Sequence, residues 1–221
     1  MSGSGDSALA ADRERALQLT PVSRETAARL DRYVEFLLEW QSKTNLIAHS
    51  TIPQLWTRHI SDSLQLLALM PDARVWVDLG SGGGFPGLAI AAALADQPGA
   101  QVHLVESTKK KAAFLEAAAR HIGAPAEVHA VRIEDFVRQS KVIPDAVTAR
   151  ALASLEDLLE LAYPLLKKGA QGLFLKGQDV EAELTQASKC WTIEHQLVPS
   201  KTHPYGRIVV VRSAERRDTK R

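Results

Sequence analysis

The chain has 221 residues, of which 45% are hydrophobic and 24% are charged, and its formal net charge is +1. This composition excludes a disordered or fibrous chain and predicts one large folded domain, or one domain with a small lobe. A net charge near zero predicts no global attraction to a polyanion, so any contact with nucleic acid has to come from local basic clusters.

Cysteine and histidine usage argues against disulfides and metal sites. Cys190 is the single cysteine, and the seven histidines show no His-x-x-x-His or Glu-x-x-His spacing, so we expect no metal. The N-terminal segment lacks the apolar stretch of a secretory signal, and the longest apolar run, residues 88–95, is too short to cross a bilayer. We therefore expect a cytoplasmic protein without membrane contact.

The first third of the chain is predicted to be helical. Residues 1–19 read as a flexible tail, and residues 20–71 read as an N-terminal helical lobe of two helices. Ser23 is suited to cap the first helix, apolar residues follow at helical spacing from Leu30 onward, and Pro71 ends the second helix.

Strand and helix patterns alternate from residue 72 to residue 212, which predicts an α/β domain with a doubly wound, mostly parallel sheet. Seven runs have strand character: RVWVDLG, AQVHLVES, AEVHAVRIEDF, PDAVTARA, AQGLFLKG, WTIEHQLVPS and GRIVVVR. The last two runs have no helix between them, so a seven-stranded Rossmann-like sheet should close with an antiparallel last strand. Residues 213–221 are predicted to be a basic tail.

A glycine-rich turn follows the first predicted strand in the segment VDLGSGGGFPGLAIA, which spans residues 77–91. An open parallel sheet binds ligands at the carboxyl ends of its strands, so this turn is predicted to contact a ligand. Residues 82–87 match G-x-G-x-x-G, and Glu106 lies about 20 residues further on. A dinucleotide such as NAD is therefore one candidate.

Two residues favour a different ligand. Asp78 would repel a diphosphate at the turn, and Pro86 lacks one of the amide donors that a diphosphate uses. S-adenosylmethionine fits better, with its positive end near Asp78, its ribose accepted by Glu106, and its adenine beside Ile133 and Glu134. In the alternative interpretation Asp78 and Glu106 cap backbone turns and Ile133 belongs to the core.

The motifs resemble those of a known superfamily. VDLGSGGGFPGLAIA, LVESTKKKAAFL and RIEDF are similar to motifs one to three of the class I S-adenosylmethionine-dependent methyltransferases. RHISDSL before the glycine turn and TARALASL after it resemble the RsmG (GidB) family, which methylates N7 of a guanine in small-subunit ribosomal RNA. The resemblance spans about residues 30–212. It implies a set of cofactor-binding residues: Asp78, Gly80, Gly82, Phe85, Glu106, Ile133, Glu134 and Arg150.

The same resemblance predicts the residues on the substrate side. Guanine N7 carries a lone pair and no proton, so its methylation by in-line displacement needs positioning and no general base. We expect Asn45, Arg58, His59, Arg150 and Lys176 to position the guanine or a phosphate, with Asn45, His59, Arg150 and Lys176 as the catalytic set. Alternatively, His59 ties the lobe to the sheet and Lys176 is a surface lysine.

The resemblance also implies a partner: small-subunit ribosomal RNA in a ribonucleoprotein context, bound by a monomer. The basic clusters that could contact phosphates are the lysines at 109–111 and the arginines and lysines within 212–221. The alternatives are methylation of another RNA, a protein or a small molecule, an NAD-dependent oxidoreductase, and a noncatalytic RNA-binding protein.

Overall fold

A computed structural model describes residues 3–217 and shows one seven-stranded sheet. The strands are β1 (Val75–Leu79), β2 (Gln101–Val105), β3 (Ala126–His129), β4 (Ala146–Arg150), β5 (Gln171–Lys176), β6 (Trp191–Pro199) and β7 (Arg207–Arg216). Their order is β3-β2-β1-β4-β5-β7-β6, with β1 to β5 mutually parallel and β7 antiparallel to both neighbours. The predicted α/β fold class, with its antiparallel last strand, is confirmed.

Helices precede the sheet and connect its strands. The α-helices are α1 (Gly3–Leu19), α2 (Arg24–Gln41), α3 (Asp62–Leu64), α4 (Gly87–Leu94), α5 (Lys109–Ile122), α6 (Ile133–Gln139), α7 (Leu155–Leu166) and α8 (Val180–Ala187). The predicted second helix of the lobe is irregular: 3-10 turns at His49–Gln54 and Gln65–Leu69 flank a π-helical turn at Trp56–Ser61 and the short α3. No helix within residues 3–217 is long and apolar enough to cross a membrane.

The expectation of a flexible tail at the N-terminus is wrong for residues 3–19, which form α1. This helix is held by long-range polar contacts. Asp12 accepts a hydrogen bond from the Thr57 amide at 3.1 Å, and Arg13 makes a bidentate pair with Asp31 at 2.6 and 2.7 Å. Such contacts leave no periodic apolar signal in the sequence, which explains why the helix was not predicted.

Helix α2 matches its prediction. The Ser23 hydroxyl accepts a hydrogen bond from the Thr26 amide at 3.1 Å and so caps the helix. Leu30, Tyr33 and Leu37 share one face and are fully buried. This face joins the lobe to the sheet, because its residues belong to the same core cluster as those of α4 and α5.

The sheet is buried on both faces, as a parallel sheet of this kind requires. Along β1, Trp76 belongs to the core shared with the lobe, α4 and α5, whereas Val77 and Leu79 belong to the core under α6, α7 and α8. All three side chains are fully buried. The lobe and one face of the sheet therefore share a core, and β1 lies between this core and the one on the other face.

Two predicted boundaries differ in the structure. The third strand ends at His129, and the RIEDF segment, predicted to close that strand, begins helix α6 at Ile133. Strand β7 continues to Arg216, so residues 213–216 of the expected basic tail are paired with β6. Residues 218–221 lie outside the described part of the chain.

Candidate active site

Two cavities open along the carboxyl ends of the parallel strands and meet at Arg150. The glycine-turn cavity, of about 500 Å³, lies over the loop between β1 and α4. The lobe-side cavity, of about 600 Å³, lies between the helical lobe and the loop that joins β6 to β7. Leu46, Arg150 and Ala151 line both cavities, so a ligand in one can reach a ligand in the other at this point.

The glycine-turn cavity brings together seven of the eight predicted cofactor residues: Gly80, Gly82, Phe85, Glu106, Ile133, Glu134 and Arg150. They come from the carboxyl ends of β1, β2 and β4 and from the first turn of α6. The convergence follows from the parallel sheet, which places all these strand ends at one edge.

The glycine turn is built by left-handed backbone. Gly80 has φ +72° and Gly84 has φ +94°, values that glycine adopts without a Cβ penalty. Space is also short, because a Cβ at Gly80 would lie 2.8 Å from Leu152 and one at Gly84 would lie 2.9 Å from the Cβ of Leu88. The glycines thus let the chain turn tightly while leaving a backbone wall toward the cavity.

The first three amides of this turn already have protein acceptors. The amides of Gly80 and Ser81 donate to the Val105 carbonyl at 2.9 and 3.0 Å, and the Gly82 amide donates to Glu106 at 3.0 Å. A diphosphate binds such a turn through unoccupied amide donors. This arrangement therefore disfavours a dinucleotide.

Asp78 lies beneath the turn and does not line either cavity. It is 1% exposed; its Oδ1 accepts from the Thr148 hydroxyl at 2.8 Å and its Oδ2 accepts from the Gly87 amide at 3.1 Å. Burial raises the pKa of Asp78, while these hydrogen bonds and the nearby Arg150 favour the charged form. The structure thus agrees with the alternative interpretation, in which the Asp78 carboxylate caps the turn. The carboxylate does not reach the surface of either cavity.

Glu106 has features of both interpretations, as a cap of a backbone turn and as a residue of the predicted cofactor site. Its Oε1 accepts from the Thr108 amide at 2.7 Å and its Oε2 accepts from the Gly82 amide at 3.0 Å, so it caps the loop before α5 and fixes the glycine turn. It also lines the cavity. Because each carboxylate oxygen has a second lone pair, Glu106 can still accept hydrogen bonds from ligand hydroxyls.

Arg150 is held rigidly where the two cavities meet. Its Nη1 donates to the Arg58 carbonyl at 2.9 Å, its Nη2 lies 2.6 Å from His59 Nδ1, and Asp62 Oδ2 lies 4.0 Å from Nη1. Burial lowers its pKa, whereas Asp62 raises it. The next residue, Ala151, has φ 51°, a left-handed conformation that is uncommon for a residue other than glycine. Strain of this kind is typical of functional sites.

His59 is a neutral acceptor for Arg150. Burial, together with the positive charges of Arg150 and Arg58, lowers its pKa to about 3. Because a guanidinium only donates, Nδ1 must accept, and the ring proton therefore lies on Nε2, which donates to Thr51 Oγ1 at 2.8 Å. The Thr51 hydroxyl in turn donates to the Ala48 carbonyl at 2.7 Å. This chain of hydrogen bonds connects β4 to the lobe.

The other two predicted catalytic residues are placed differently. Lys176 lines the lobe-side cavity, but its Nζ lies 2.6 Å from Glu183 Oε2 and donates to the Ala153 carbonyl at 2.8 Å. It thereby fixes the loop after β4. Asn45 is exposed, accepts a long hydrogen bond of 3.4 Å from Gln41, and is not among the residues that line either cavity. Arg58, by contrast, lines the lobe-side cavity.

Comparison with known proteins identifies the family. The family model described as rRNA small subunit methyltransferase G (GidB) matches residues 26–208. The chain belongs to this family. The "Ribosomal RNA small subunit methyltransferase G" of Bradyrhizobium sp. strain BTAi1 is 62% identical over 94% of both chains. That of Rhodopseudomonas palustris strain BisB18 is 56% identical over 95% of this chain and 90% of its own. The resemblance stated from the motifs is confirmed.

Solved structures support the fold. The O-methyltransferase TomG from Streptomyces achromogenes, in complex with SAM, has a TM-score of 0.59 and 15% identity over 95% of this chain and 99% of its own. The O-methyltransferase from Bacillus cereus, in complex with SAH, has a TM-score of 0.60 and 15% identity over 95% of this chain and 100% of its own. This chain thus shares the fold of these two O-methyltransferases.

Sequence reasoning missed the contribution of the β6–β7 loop in this member of the GidB family. Thr202 donates to Asp62 Oδ1 at 2.7 Å, and the Lys201 amide donates to Gln65 at 2.9 Å, so the loop is bound to the lobe. Tyr205 lines the lobe-side cavity and is 62% exposed. The signal for this contact would be the pairing of RHISDSL with a polar loop some 140 positions later. No local pattern in the sequence indicates that pairing.

Proposed function

We propose that this protein transfers a methyl group from S-adenosylmethionine to N7 of a guanine in small-subunit ribosomal RNA. Membership of the rRNA small subunit methyltransferase G family supports the reaction and the substrate class. The geometric observation that carries the proposal is the meeting of two cavities at Arg150. One cavity is suited to an adenosyl ligand, and the other opens to the lobe, where a nucleobase can enter.

The residues of the glycine-turn cavity fit S-adenosylmethionine. Glu106 is positioned to accept hydrogen bonds from the ribose hydroxyls, and Ile133 offers an apolar surface for the adenine. Glu134 and the adjoining backbone supply polar groups for the edge of the ring. Asp78 acts from below the turn, where its buried charge favours a cationic group over a diphosphate without touching it.

The chemistry requires alignment and no proton transfer. When bound, S-adenosylmethionine would supply a methyl group activated by its positive sulfur; the guanine N7 lone pair would bond to the methyl carbon in line as the carbon–sulfur bond breaks, and S-adenosylhomocysteine would leave. His59 does not serve as a base, because its Nδ1 lone pair accepts from Arg150 and its Nε2 carries the proton. Arg150, partly buried and fixed by Arg58 and His59, lies between the positions of the two reactants. Alignment of this kind can contribute roughly 7 to 11 kcal/mol.

The lobe-side cavity supports an RNA substrate. Arg58 and Arg207 line it with positive charge, and Tyr205 offers an exposed aromatic ring on its rim. Arginine contacts phosphates and guanine edges, and aromatic rings stack on unpaired bases. We propose that the substrate guanine is an unpaired base presented by a ribonucleoprotein particle to a monomeric enzyme in the cytoplasm.

The basic clusters contribute unequally to this proposal. Lys111 lines the glycine-turn cavity and faces the approach to it. On β7, Arg212 lies 3.9 Å from Glu194 and Arg216 pairs with Glu160, so both cations are already partnered by acids. Lys220 and Arg221 lie outside the described residues. The lysines at the start of α5 are therefore better candidates for phosphate contacts than the end of β7.

A methyl-transfer assay on purified subunits tests the proposal. Small subunits from a strain lacking this gene are incubated with the protein and tritiated S-adenosylmethionine, and the ribosomal RNA is digested to nucleosides. The expected product is a single labelled 7-methylguanosine per subunit. Label in another nucleoside would favour methylation of a different position, and titration with NAD that shows binding while S-adenosylmethionine shows none would favour an oxidoreductase. Cofactor binding without label on any RNA would favour a noncatalytic binding protein.

A further inference from the structure

A cluster of two histidines and one glutamate lies on the sheet edge, outside both cavities. The register of β2 and β3 pairs His103 with Glu127, and His129 follows two residues along the same strand. Residues two apart on a strand share a face, so all three side chains project from the same side of the sheet. The sequence predicted no metal because it lacks the His-x-x-x-His and Glu-x-x-His spacings that bring ligands together on a helix. On a strand, the spacing that brings two ligands together is Glu-x-His.

The three side chains bring two imidazole nitrogens and the two oxygens of one carboxylate close together. His103 Nδ1 lies 3.0 Å from His129 Nε2 and 3.5 Å from one carboxylate oxygen of Glu127. His129 Nε2 lies 3.8 Å from the other carboxylate oxygen. Ligands of a tetrahedral Zn²⁺, bound at about 2.0–2.2 Å, are separated by roughly 3.3–3.6 Å. The observed distances lie within about 0.3 Å of that range, so an ion can enter with small side-chain shifts.

We propose that His103, Glu127 and His129 form a binding site for a divalent transition-metal ion, and that Zn²⁺ is the ion it fits best. Two imidazoles and a carboxylate are a donor set that suits Zn²⁺, and three protein ligands leave one position for water. This proposal does not depend on the methyl-transfer activity.

The environment of the cluster suits metal ligands. His103 Nδ1 and His129 Nε2 share one hydrogen bond, so one of these nitrogens carries the proton and the other offers a lone pair. One ring now donates to the other; when an ion enters, that proton moves to the outer nitrogen of the same ring, and both inner lone pairs face the metal. Glu127, whose side chain is 67% exposed, leaves the site open to ions from solvent.

The surroundings also orient the ligands. His103 is 5% exposed, which limits its ring to few rotamers, and the ring of Phe136 packs against His129 with centroids 4.7 Å apart. The His129 carbonyl accepts a hydrogen bond from the Glu106 amide at 3.1 Å. The proposed ion would therefore fix the end of β3 beside the residue that anchors the glycine turn.

Zinc titration of the full chain tests the site. The measurements use tag-free protein carrying Cys190→Ser, because Cys190 is exposed and a free thiol binds zinc by itself. Isothermal titration with ZnCl₂ and competition against a chromogenic chelator give stoichiometry and affinity. Glu127→Gln and His129→Ala remove one ligand each, and His195→Ala, an exposed strand histidine on β6, is the matched control.

The expected result is one Zn²⁺ per chain, weakened at least about tenfold by each ligand substitution and unchanged by His195→Ala. Zinc should raise the melting temperature of the Cys190→Ser protein and of the control, with a smaller rise for Glu127→Gln and His129→Ala. Co²⁺ should give the visible absorption of a tetrahedral centre. The proposal is overturned if the chain binds no zinc, if either ligand variant binds as well as its parent, or if the His195 variant loses affinity equally.

Discussion

Substitution of His59 separates positioning from base catalysis, because the structure assigns a different task to each ring nitrogen. Nδ1 accepts from Arg150 Nη2 at 2.6 Å, and Nε2 donates to Thr51 at 2.8 Å. An asparagine at this position places an amide oxygen near the Nδ1 site and keeps an acceptor for Arg150. A glutamine reaches the Nε2 site and leaves the buried guanidinium without that acceptor.

The magnitudes follow from these contacts. A hydrogen bond to a charged partner contributes about 1.5–3 kcal/mol, and a neutral one contributes about 1 kcal/mol. We expect His59→Gln to lower the free energy of unfolding by about 2–3 kcal/mol and His59→Asn by about 1–2 kcal/mol. Since misplacement by about 1 Å can cost about 100-fold in rate, kcat/KM for methyl transfer should fall about 100-fold in His59→Gln and only a few-fold in His59→Asn.

The assays are denaturant unfolding and single-turnover methyl transfer to small subunits across a range of pH. The rate should show no titration attributable to His59 from about pH 6 to pH 8, because its pKa is lowered to about 3. Equal rates for the two variants would refute the positioning role. If the parent's rate instead falls as the pH decreases through about 6.5, and the rate of His59→Asn does not change with pH, His59 is identified as a base.

The same pKa shift predicts acid sensitivity. The pKa of His59 is about 3 when folded against 6.5 for a free histidine, so below pH 6.5 the unfolded chain takes up a proton that the folded chain refuses. The contribution of neutral His59 to the free energy of unfolding is thus complete above about pH 6.5. As the pH falls from 6.5 toward 3, the free energy of unfolding decreases by up to about 1.4 kcal/mol per pH unit. Because asparagine does not titrate, the stability advantage of the parent over His59→Asn, about 1–2 kcal/mol at neutral pH, should vanish roughly one to two pH units below 6.5 and reverse at lower pH; a constant difference would contradict the assignment.

Three further substitutions test the turn and the substrate cavity. Gly84→Ala should lower the free energy of unfolding by at least about 2 kcal/mol more than Gly169→Ala, because both glycines have positive φ but only Gly84 is crowded; equal losses in chemical denaturation would contradict this. Tyr205→Ala should raise KM for small subunits about tenfold because stacking is lost, while the affinity for S-adenosylmethionine measured by calorimetry stays unchanged. Ile143→Ala, the control at an exposed apolar residue, should change neither KM nor this affinity. Asp78→Asn should cost about 1–3 kcal/mol of stability and weaken S-adenosylmethionine binding; undiminished binding by calorimetry would remove Asp78 from cofactor selection.

The parts of the site that follow strand ends were predictable, because a parallel sheet gathers those ends whatever the tertiary detail. Glu106 and Arg150 stand at the ends of β2 and β4, and the structure places both on the glycine-turn cavity. Asp78 shows the limit of this reasoning. It stands in the penultimate position of β1, and its oxygens are taken by Thr148 on the neighbouring strand and by the Gly87 amide. Sequence places a residue at an edge, but packing decides which way it points.

Features that depend on contacts distant in sequence were not predictable. Helix α1 is held by Asp12 and Arg13, whose partners lie in the lobe, and it carries little apolar periodicity. The hydrogen bond between Thr202 and Asp62 links segments 140 residues apart. In each case the decisive interaction is polar, and polar pairing lacks the repeating spacing that makes apolar faces visible in a sequence.

The position of Arg150 explains why the lobe and the sheet form one functional unit. The sheet supplies the glycine-turn cavity, and two O-methyltransferases that are only 15% identical to this chain share its fold. The lobe supplies the acceptors that hold Arg150, and the β6–β7 loop is bound to the same lobe through Asp62. In the proposed reaction the lobe therefore fixes both Arg150, which lies between the two reactants, and the rim of the lobe-side cavity. Because Leu46 and Arg150 also line the glycine-turn cavity, a change in the lobe would affect both cavities.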